Sequence, residues 1–281
     1  MELRPFGAEG PAVAVIGQGT WHLEQAERGA ALAALRQGLD LGMTHIDTAE
    51  MYGSGEAEKL VGEAVLGRRD EVFLVSKVLP ENASARGTVA ACERSLLRLG
   101  TDRLDCYLLH WRGRHPLAET IAAFQLLQRD GKIRSWGVSN FDAADLDEVR
   151  SLAGAGHPVC NQVLYHLGER AIEHAVLPWC EREGTALVAY TPFGQSAATY
   201  APHTRGGRVL GEIAAAHGAT ARQVALRFLL RRAGTFVIPK ASSAAHVAEN
   251  AAAAALELEP AEIARIDAAF PAGRRRGLPM I

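Results

Sequence analysis

Apolar stretches of strand length alternate with amphipathic stretches of helix length along most of the chain. Short connections between such stretches are typical of a parallel sheet, and eight regular repeats favour closure into a barrel over an open doubly wound sheet. The predicted strands are residues 15–19, 44–48, 72–77, 105–110, 134–139, 160–163, 186–190 and 235–238. The predicted helices are residues 25–41, 56–66, 87–99, 117–130, 143–152, 175–183, 220–233 and 245–255.

The remaining segments are expected to complete a single α/β domain over residues 1–281, a (β/α)8 TIM barrel. A length of about 250 residues is typical of one such barrel. Residues 1–14 are predicted to form a hairpin that plugs the bottom of the barrel, and residues 209–217 and 260–270 are predicted to form two extra helices. The long segment 193–208 is expected to be a functional loop. The arginine run at residues 274–276 is expected to be a solvated tail, with a role near a cofactor phosphate as the alternative.

Composition and charge argue against several classes of protein. The chain has 30 Lys and Arg against 32 Asp and Glu, a net charge of −2, and so shows no basic surface for nucleic acid. Cys92, Cys106, Cys160 and Cys180 match no common zinc spacing and are expected to be buried free thiols. The chain shows neither a signal peptide nor a membrane-spanning apolar run. We expect a cytoplasmic monomer with no membrane or nucleic-acid partner.

Ionisable side chains follow three consecutive predicted strands. Asp47 and Tyr52 follow the second strand, Lys77 ends the third and His110 ends the fourth. The carboxyl ends of barrel strands meet on one face, so these side chains are expected to form one cluster. An ammonium beside a phenol lowers the pKa of the phenol, and a carboxylate can hold that ammonium in place. With an imidazole to orient the oxygen, the cluster suits proton transfer to a carbonyl.

A set of short motifs in fixed order resembles the aldo/keto reductase family, close to small bacterial members that reduce aldehydes, methylglyoxal or diketogluconate. The resemblance covers nearly the whole chain. It implies hydride transfer from NADPH, with NADH as an alternative, to a small carbonyl substrate, with Tyr52 as the proton donor. Its motifs are Gly17-Gln18-Gly19-Thr20-Trp21, Asp47-Thr48-Ala49-Glu50-Met51-Tyr52-Gly53, Gly137-Val138-Ser139-Asn140, Asn161-Gln162-Val163, Tyr190-Thr191-Pro192, Ile238-Pro239-Lys240 and Glu249-Asn250.

The resemblance also implies a nicotinamide cofactor held without a Rossmann fold, and neither glycine-rich stretch completes the G-x-G-x-x-G pattern. Ser139, Asn140 and Gln162 would bind the carboxamide, and Tyr190 would stack on the ring. The backbone of Thr191, Phe193 and Gln195 would follow the pyrophosphate, Lys240 would face the 2′-phosphate, and Glu249 and Asn250 would read the adenine. The predicted cofactor site also includes Gly19, Thr20, Trp21, Asp47, Ile238, Ala241 and His246.

Two of these positions depart from the family pattern. His246 stands where many members carry an arginine, and Ala241 replaces a serine that is common in phosphate-binding relatives. Arginine offers a permanently charged, bidentate group and histidine does not. Both departures weaken the case for strict NADPH specificity.

The predicted substrate pocket combines catalytic and aromatic side chains. The segment 111–116 is short and the chain ends soon after the last predicted helix, so we expect an open, shallow pocket that accepts a broad range of small aldehydes. The predicted lining residues are Trp21, Met51, Tyr52, His110, Trp111 and Phe193.

Two other functions remain open from the residues alone. A cofactor-sensing regulatory subunit is one, because the β-subunits of some potassium channels resemble the same family. The chain shows no partner-docking insertion that would favour it. A metal-dependent barrel hydrolase would require an H-x-H pair at the end of an early strand, and none is present. We therefore expect no metal site.

Overall fold

The computed structural model describes the backbone of residues 1–281 and every side chain except those of residues 197 and 198. An antiparallel hairpin of β1 (Leu3–Pro5) and β2 (Ala12–Ala14) precedes eight parallel strands. These eight strands pair in chain order. They are β3 (Gln18–Gly19), β4 (His45–Asp47), β5 (Phe73–Val78), β6 (Leu104–Leu109), β7 (Ile133–Ser139), β8 (Cys160–Leu164), β9 (Ala186–Tyr190) and β10 (Thr235–Val237).

Contacts between the first and last strands close the sheet into a barrel. Ile16 bridges Val237, and Gly19 bridges Lys240, both in the parallel sense. The N–H of Gly17 donates to the carbonyl of Val237 at 2.8 Å. The predicted α/β barrel is confirmed. The first strand is shorter than predicted because only its last two residues pair with β4.

The helices lie between successive strands and largely match the predicted repeats. Two of them, residues 205–216 and 260–269, fall outside the eight repeats, as predicted. The helices are α1 (Arg28–Asp40), α2 (Glu56–Ala64), α3 (Ala85–Leu99), α4 (Leu117–Arg129), α5 (Ala143–Ala153), α6 (Val176–Glu183), α7 (Arg205–Ala216), α8 (Ala221–Leu229), α9 (Ala244–Ala252) and α10 (Pro260–Ala269).

The predicted start of α7 is wrong by four residues. The hydroxyl of Thr204 accepts a hydrogen bond from the N–H of Gly207 at 2.9 Å and caps the helix. Two glycines in the first turn weaken the helix pattern in the sequence, whereas the cap stabilises that turn. The loop after β9 is therefore shorter than 193–208, and it also contains the short 3₁₀ turn Ala197–Tyr200.

The hairpin closes the end of the barrel that lies opposite the strand C-termini. Phe6 follows β1 and is 2% exposed. Its ring centroid lies 4.7 Å from that of Phe73, 5.0 Å from that of Phe236 and 5.7 Å from that of His45. Burying an aromatic side chain of this size stabilises a fold by about 1.5–3 kcal/mol. The predicted plug is present, and only the opposite end of the barrel remains open for a site.

The four cysteines are buried free thiols, as predicted. No helix in the described part of the chain is long and apolar enough to cross a lipid bilayer.

Candidate active site

Lys77 lies fully buried below the open end of the barrel, with three oxygen acceptors. Its Nζ lies 2.5 Å from Oδ1 of Asp47, 2.9 Å from the carbonyl of Thr48 and 3.2 Å from the hydroxyl of Tyr52. An ammonium has three protons to donate, so each can find a partner. Burial lowers the pKa of Lys77, but Asp47 and Tyr52 raise it by more, and the net pKa lies above the ordinary value. Lys77 is therefore a fixed cation beneath Tyr52.

Tyr52 begins the tight turn Tyr52–Gly55, in which Gly53 and Ser54 have positive φ values of 54° and 53°. Lys77 lowers the pKa of Tyr52, as predicted, but the net pKa lies above the ordinary value. Burial raises the pKa of Tyr52, Asp47 raises it further, and Lys77 only partly offsets the two. The phenolate would lose its water and face a nearby carboxylate. Tyr52 therefore keeps its proton at neutral pH, as a general acid must.

His110 lies just beyond β6 with its ring edge toward Tyr52. The two ring centroids are 5.8 Å apart, with an interplanar angle of 73°. Burial, and secondarily the charge of Lys77, lowers the pKa of His110 to about 2. The imidazole is therefore neutral, and it can donate one N–H to an oxygen placed near the phenol. Its Nδ1 is buried and has no partner among the described residues.

The ends of β7, β8 and β9 bring polar groups to the same face. The hydroxyl of Tyr190 donates to Oδ1 of Asn140 at 2.9 Å, and Nδ2 of Asn140 donates to the carbonyl of His110 at 3.2 Å. Nε2 of Gln162 donates to Oδ2 of Asp47 at 2.7 Å. Asp47 therefore contacts Lys77 through one oxygen and Gln162 through the other. This links the cluster around Lys77 to the opposite side of the barrel.

A cavity of about 550 Å³ opens above this cluster. It brings together most of the predicted site residues: Gly19, Thr20, Trp21, Asp47, Met51, Tyr52, His110, Trp111, Ser139, Asn140, Gln162, Tyr190, Thr191, Phe193, Ile238 and Lys240. Lys77 lies beneath the floor, and Gln195, Ala241, His246, Glu249 and Asn250 lie outside the lining. The sequence prediction missed His22, Pro192, Gly194, Met280 and Ile281.

The family model that describes the aldo/keto reductase family matches residues 15–270. The chain belongs to this family. It is therefore an oxidoreductase, as the sequence predicted.

Several bacterial proteins are similar over nearly their full length. Methylglyoxal reductase YeaE of Escherichia coli is 49% identical over 263 residues, 92% of this chain and 91% of the relative. Glyoxal reductase of Bacillus subtilis is 33% identical over 90% of this chain and 87% of its own length. A crystal structure of an aldo-keto reductase from Klebsiella pneumoniae in complex with NADPH superposes with a TM-score of 0.92. That protein is 43% identical to this chain, and the match covers 100% of this chain and 99% of the other.

Among the predicted adenosine-side residues of this aldo/keto reductase, Lys240 lines the cavity, whereas His246, Glu249 and Asn250 lie outside the lining, in α9. Nζ of Lys240 lies 3.4 Å from the hydroxyl of Ser242, and His246 is exposed in the first turn of α9. One carboxylate oxygen of Glu249 accepts from the hydroxyl of Thr220 at 2.7 Å, which joins α9 to the start of α8. Asn250 is buried. Lys240 and His246 are therefore the basic side chains that the sequence assigns to this region.

The C-terminal tail returns to the cavity. The arginine run at residues 274–276 within it is exposed, as predicted. The open, shallow pocket stays a prediction. Arg276 forms an ion pair with Glu169, and Met280 and Ile281 line the cavity. The backbone N–H of Ile281 contacts the hydroxyl of Tyr190. Burial raises the pKa of Tyr190 to about 12. The N–H of Ile281 lowers this pKa, and Tyr52 raises it. The apolar residues Met280 and Ile281 at the end of the sequence were the one local signal that the tail contacts the cavity.

A metal site has no visible ligand set here. Wherever the structure describes side chains, it brings no three His, Cys, Asp or Glu residues together as metal ligands. The absence of a metal from the reaction stays a prediction.

Proposed function

We propose that this aldo/keto reductase reduces small aldehydes and ketones to alcohols with NADPH, and that methylglyoxal and related α-oxoaldehydes are among its substrates. One observation carries the proposal. The protonated hydroxyl of Tyr52 lies at the cavity, 3.2 Å from the buried ammonium of Lys77 and beside the neutral ring of His110. An acid and a neutral hydrogen-bond donor therefore face the same space.

Four side chains have separate roles in the protonation of the carbonyl oxygen. His110 donates a hydrogen bond that orients the oxygen, and Tyr52 transfers its proton to it. Lys77 stabilises the negative charge that develops on the phenol oxygen, and Asp47 keeps Lys77 charged and in place. General acid catalysis of this kind contributes typically about 10²–10⁴-fold to the rate.

The polar groups around Tyr190 suit a nicotinamide. The hydroxyl proton of Ser139 has no acceptor among the described residues, and Oε1 of Gln162 has no described donor. Together they complement the C=O and NH₂ of a carboxamide. The ring of Tyr190 is held by its bond to Asn140 and offers a flat face for stacking. When bound, the reduced cofactor supplies the hydride for the carbonyl carbon.

The size and character of the cavity support a small substrate. A volume of about 550 Å³ has to hold the nicotinamide as well as the carbonyl compound. Its walls include Trp21, Met51, Trp111 and Phe193. Methylglyoxal and glyoxal appear in the names of two similar bacterial reductases. Small apolar or α-oxo aldehydes are accordingly the substrates we propose.

Tyr52→Phe tests the proposal, because it keeps the ring and removes only the proton donor. We expect methylglyoxal reduction, followed by NADPH absorbance, to fall by about 10²–10⁴-fold. NADPH affinity, measured by fluorescence titration, should stay close to wild type. Near-normal turnover by the variant would contradict the role of Tyr52. A wild-type protein that binds NADPH but turns over no carbonyl compound would indicate the regulatory alternative instead.

A further inference from the structure

Glu50 is a buried carboxylate two residues before Tyr52, and the proposed reaction does not use it. The residue is 8% exposed. Its Oε1 accepts hydrogen bonds from the backbone N–H of Leu79 at 2.8 Å and from Nδ2 of Asn82 at 2.9 Å. Its Oε2 lies 3.4 Å from the guanidinium of Arg94. All three donors come from the chain beyond Lys77, in the segment after β5 and in α3.

These contacts extend the pairing of β4 with β5 beyond the end of the strands. The regular pairing ends at Asp47. The N–H of Thr48 then donates to the carbonyl of Val75 at 2.9 Å, and the N–H of Glu50 lies 3.4 Å from the carbonyl of Lys77. The Glu50 side chain supplies the next contact, to Leu79. The loop that carries Tyr52 is thereby fastened to the backbone on both sides of Lys77.

The turn that follows Glu50 has an unusual backbone conformation, because Gly53 and Ser54 both have a positive φ. The N–H of Tyr52 donates to the carbonyl of Ala49 at 3.1 Å, and the carbonyl of Tyr52 accepts from the N–H of Glu56. A positive φ is unfavourable for serine, so the surrounding contacts must hold this conformation. A buried carboxylate with three donors is suited to that task, because a donor left unpaired in the interior is costly.

We propose that Glu50 is a positioning residue that sets the separation between the hydroxyl of Tyr52 and the ammonium of Lys77. The inference rests on the proposed role of Tyr52 as proton donor. Glu50 does not touch the cavity, and it acts through the backbone of residues 48–52. A misplacement of about 1 Å at a reacting group costs on the order of 10²-fold in rate. The proposed role therefore predicts a catalytic effect beyond any loss of stability.

The proposal also predicts a pH effect. The charged and titratable groups that face Tyr52 are Lys77, Asp47, His110 and Tyr190. Those that face Glu50 are Arg94 and Tyr107. Lys77 favours the phenolate of Tyr52. If the loop loosens and the two groups separate, the pKa of Tyr52 rises. The alkaline limb of the kcat/KM profile should then move to higher pH.

The test is Glu50→Gln, with Glu58→Gln as the matched control. Glutamine keeps the shape of Glu50 but removes its charge and places an NH₂ or a neutral oxygen beside Arg94. Glu58 is also buried and accepts from the hydroxyl of Ser76 at 2.6 Å and from Nε of Arg98 at 2.5 Å, but it lies in α2, away from the cavity. Both variants should lower the unfolding midpoint, because each removes the charge of a buried carboxylate that pairs with an arginine.

Only Glu50→Gln should affect the reaction. We expect the kcat of Glu50→Gln to fall roughly ten-fold, the alkaline limb of its kcat/KM profile to move to higher pH, and its NADPH affinity to stay within about two-fold of wild type. Glu58→Gln should keep the wild-type kcat and pH profile. If Glu50→Gln does not fold, Asn82→Ala should show the same shifts at smaller size, since it removes one donor to Oε1.

The outcomes separate this inference from the proposed function. A wild-type kcat and pH profile in Glu50→Gln, or equal losses in both glutamate variants, would overturn the positioning role alone, provided that Tyr52→Phe is inactive. If Glu50→Gln does not fold, an unchanged kcat and pH profile in Asn82→Ala would overturn it in the same way. An active Tyr52→Phe would instead overturn the proposed function, and the inference with it.

Discussion

We predict that His246 affects how firmly this protein holds the 2′-phosphate that distinguishes NADPH from NADH. It is exposed near the start of α9 and has no carboxylate partner among the described side chains. Lys240, just beyond β10, is the permanently charged group that the sequence assigns to the same phosphate. Many members of the family carry a lysine and an arginine at these two positions. This chain carries Lys240 and, in place of the arginine, His246. A modest preference for NADPH is the expected result.

His246→Arg should raise the affinity for NADPH roughly five-fold and leave the affinity for NADH nearly unchanged. Arginine adds a permanent charge and a bidentate donor, but an exposed pair of this kind contributes only about 1 kcal/mol. Binding titrations with both cofactors measure the effect. Ala245→Arg, which adds the same charge one residue away on the exposed surface of α9, is the control. Equal shifts for both cofactors would show that position 246 does not face the 2′-phosphate.

At the scale of elements, the C-terminal tail narrows the cavity. Met280 and Ile281 line it, although each is about half exposed, at 56% and 51%. The contact from the Ile281 N–H to Tyr190 and the ion pair from Arg276 to Glu169 hold the tail in place. Leu278 packs against the core, so the loss of residues 280 and 281 alone leaves the rest of the tail anchored. We therefore expect these two residues to affect which substrates fit, rather than the chemistry.

Deletion of residues 280 and 281 should favour bulkier substrates. We expect the ratio of kcat/KM for a bulky aromatic aldehyde to that for methylglyoxal to rise at least about five-fold, because even one methylene of pocket space changes discrimination by about ten-fold or more. Steady-state kinetics with the two aldehydes measure this ratio. Arg276→Ala, which frees the tail without shortening it, should shift the ratio the same way but less. An unchanged ratio in the deletion would show that the tail does not restrict the pocket.

At the scale of the whole molecule, His45 makes the folded state sensitive to acid. Its ring lies among Phe6, Phe73 and Phe236 at the closed end of the barrel, and both nitrogens lack partners among the described groups. Burial lowers the pKa of His45 to about 4, with Lys77 acting in the same direction and Asp47 opposing. An unfolded chain would bind the proton at its ordinary pKa of 6.5. The unfolded state therefore takes up more protons between these two values.

Stability should fall as pH drops from about 6.5 toward 4, and the part due to His45 is about 3 kcal/mol. Urea unfolding at several pH values measures the free energy of unfolding. His45→Leu removes the titrating ring and should flatten the dependence in this window, whatever its effect at neutral pH. The exposed His203→Leu is the control and should leave the slope as in wild type. An equally steep slope in His45→Leu would assign the acid sensitivity to other groups.

The sequence by itself determined the barrel, its hairpin and the four side chains that meet at its open end. Those features depend on local patterns: strand length, helix periodicity and the residue that follows each strand. Only the tertiary structure decided the rest, because it depends on residues far apart in the chain. The raised pKa of Tyr52 reflects the balance of burial, Asp47 and Lys77. The partners of Glu50 and the return of the tail to Tyr190 likewise come from long-range packing, which no local pattern specifies.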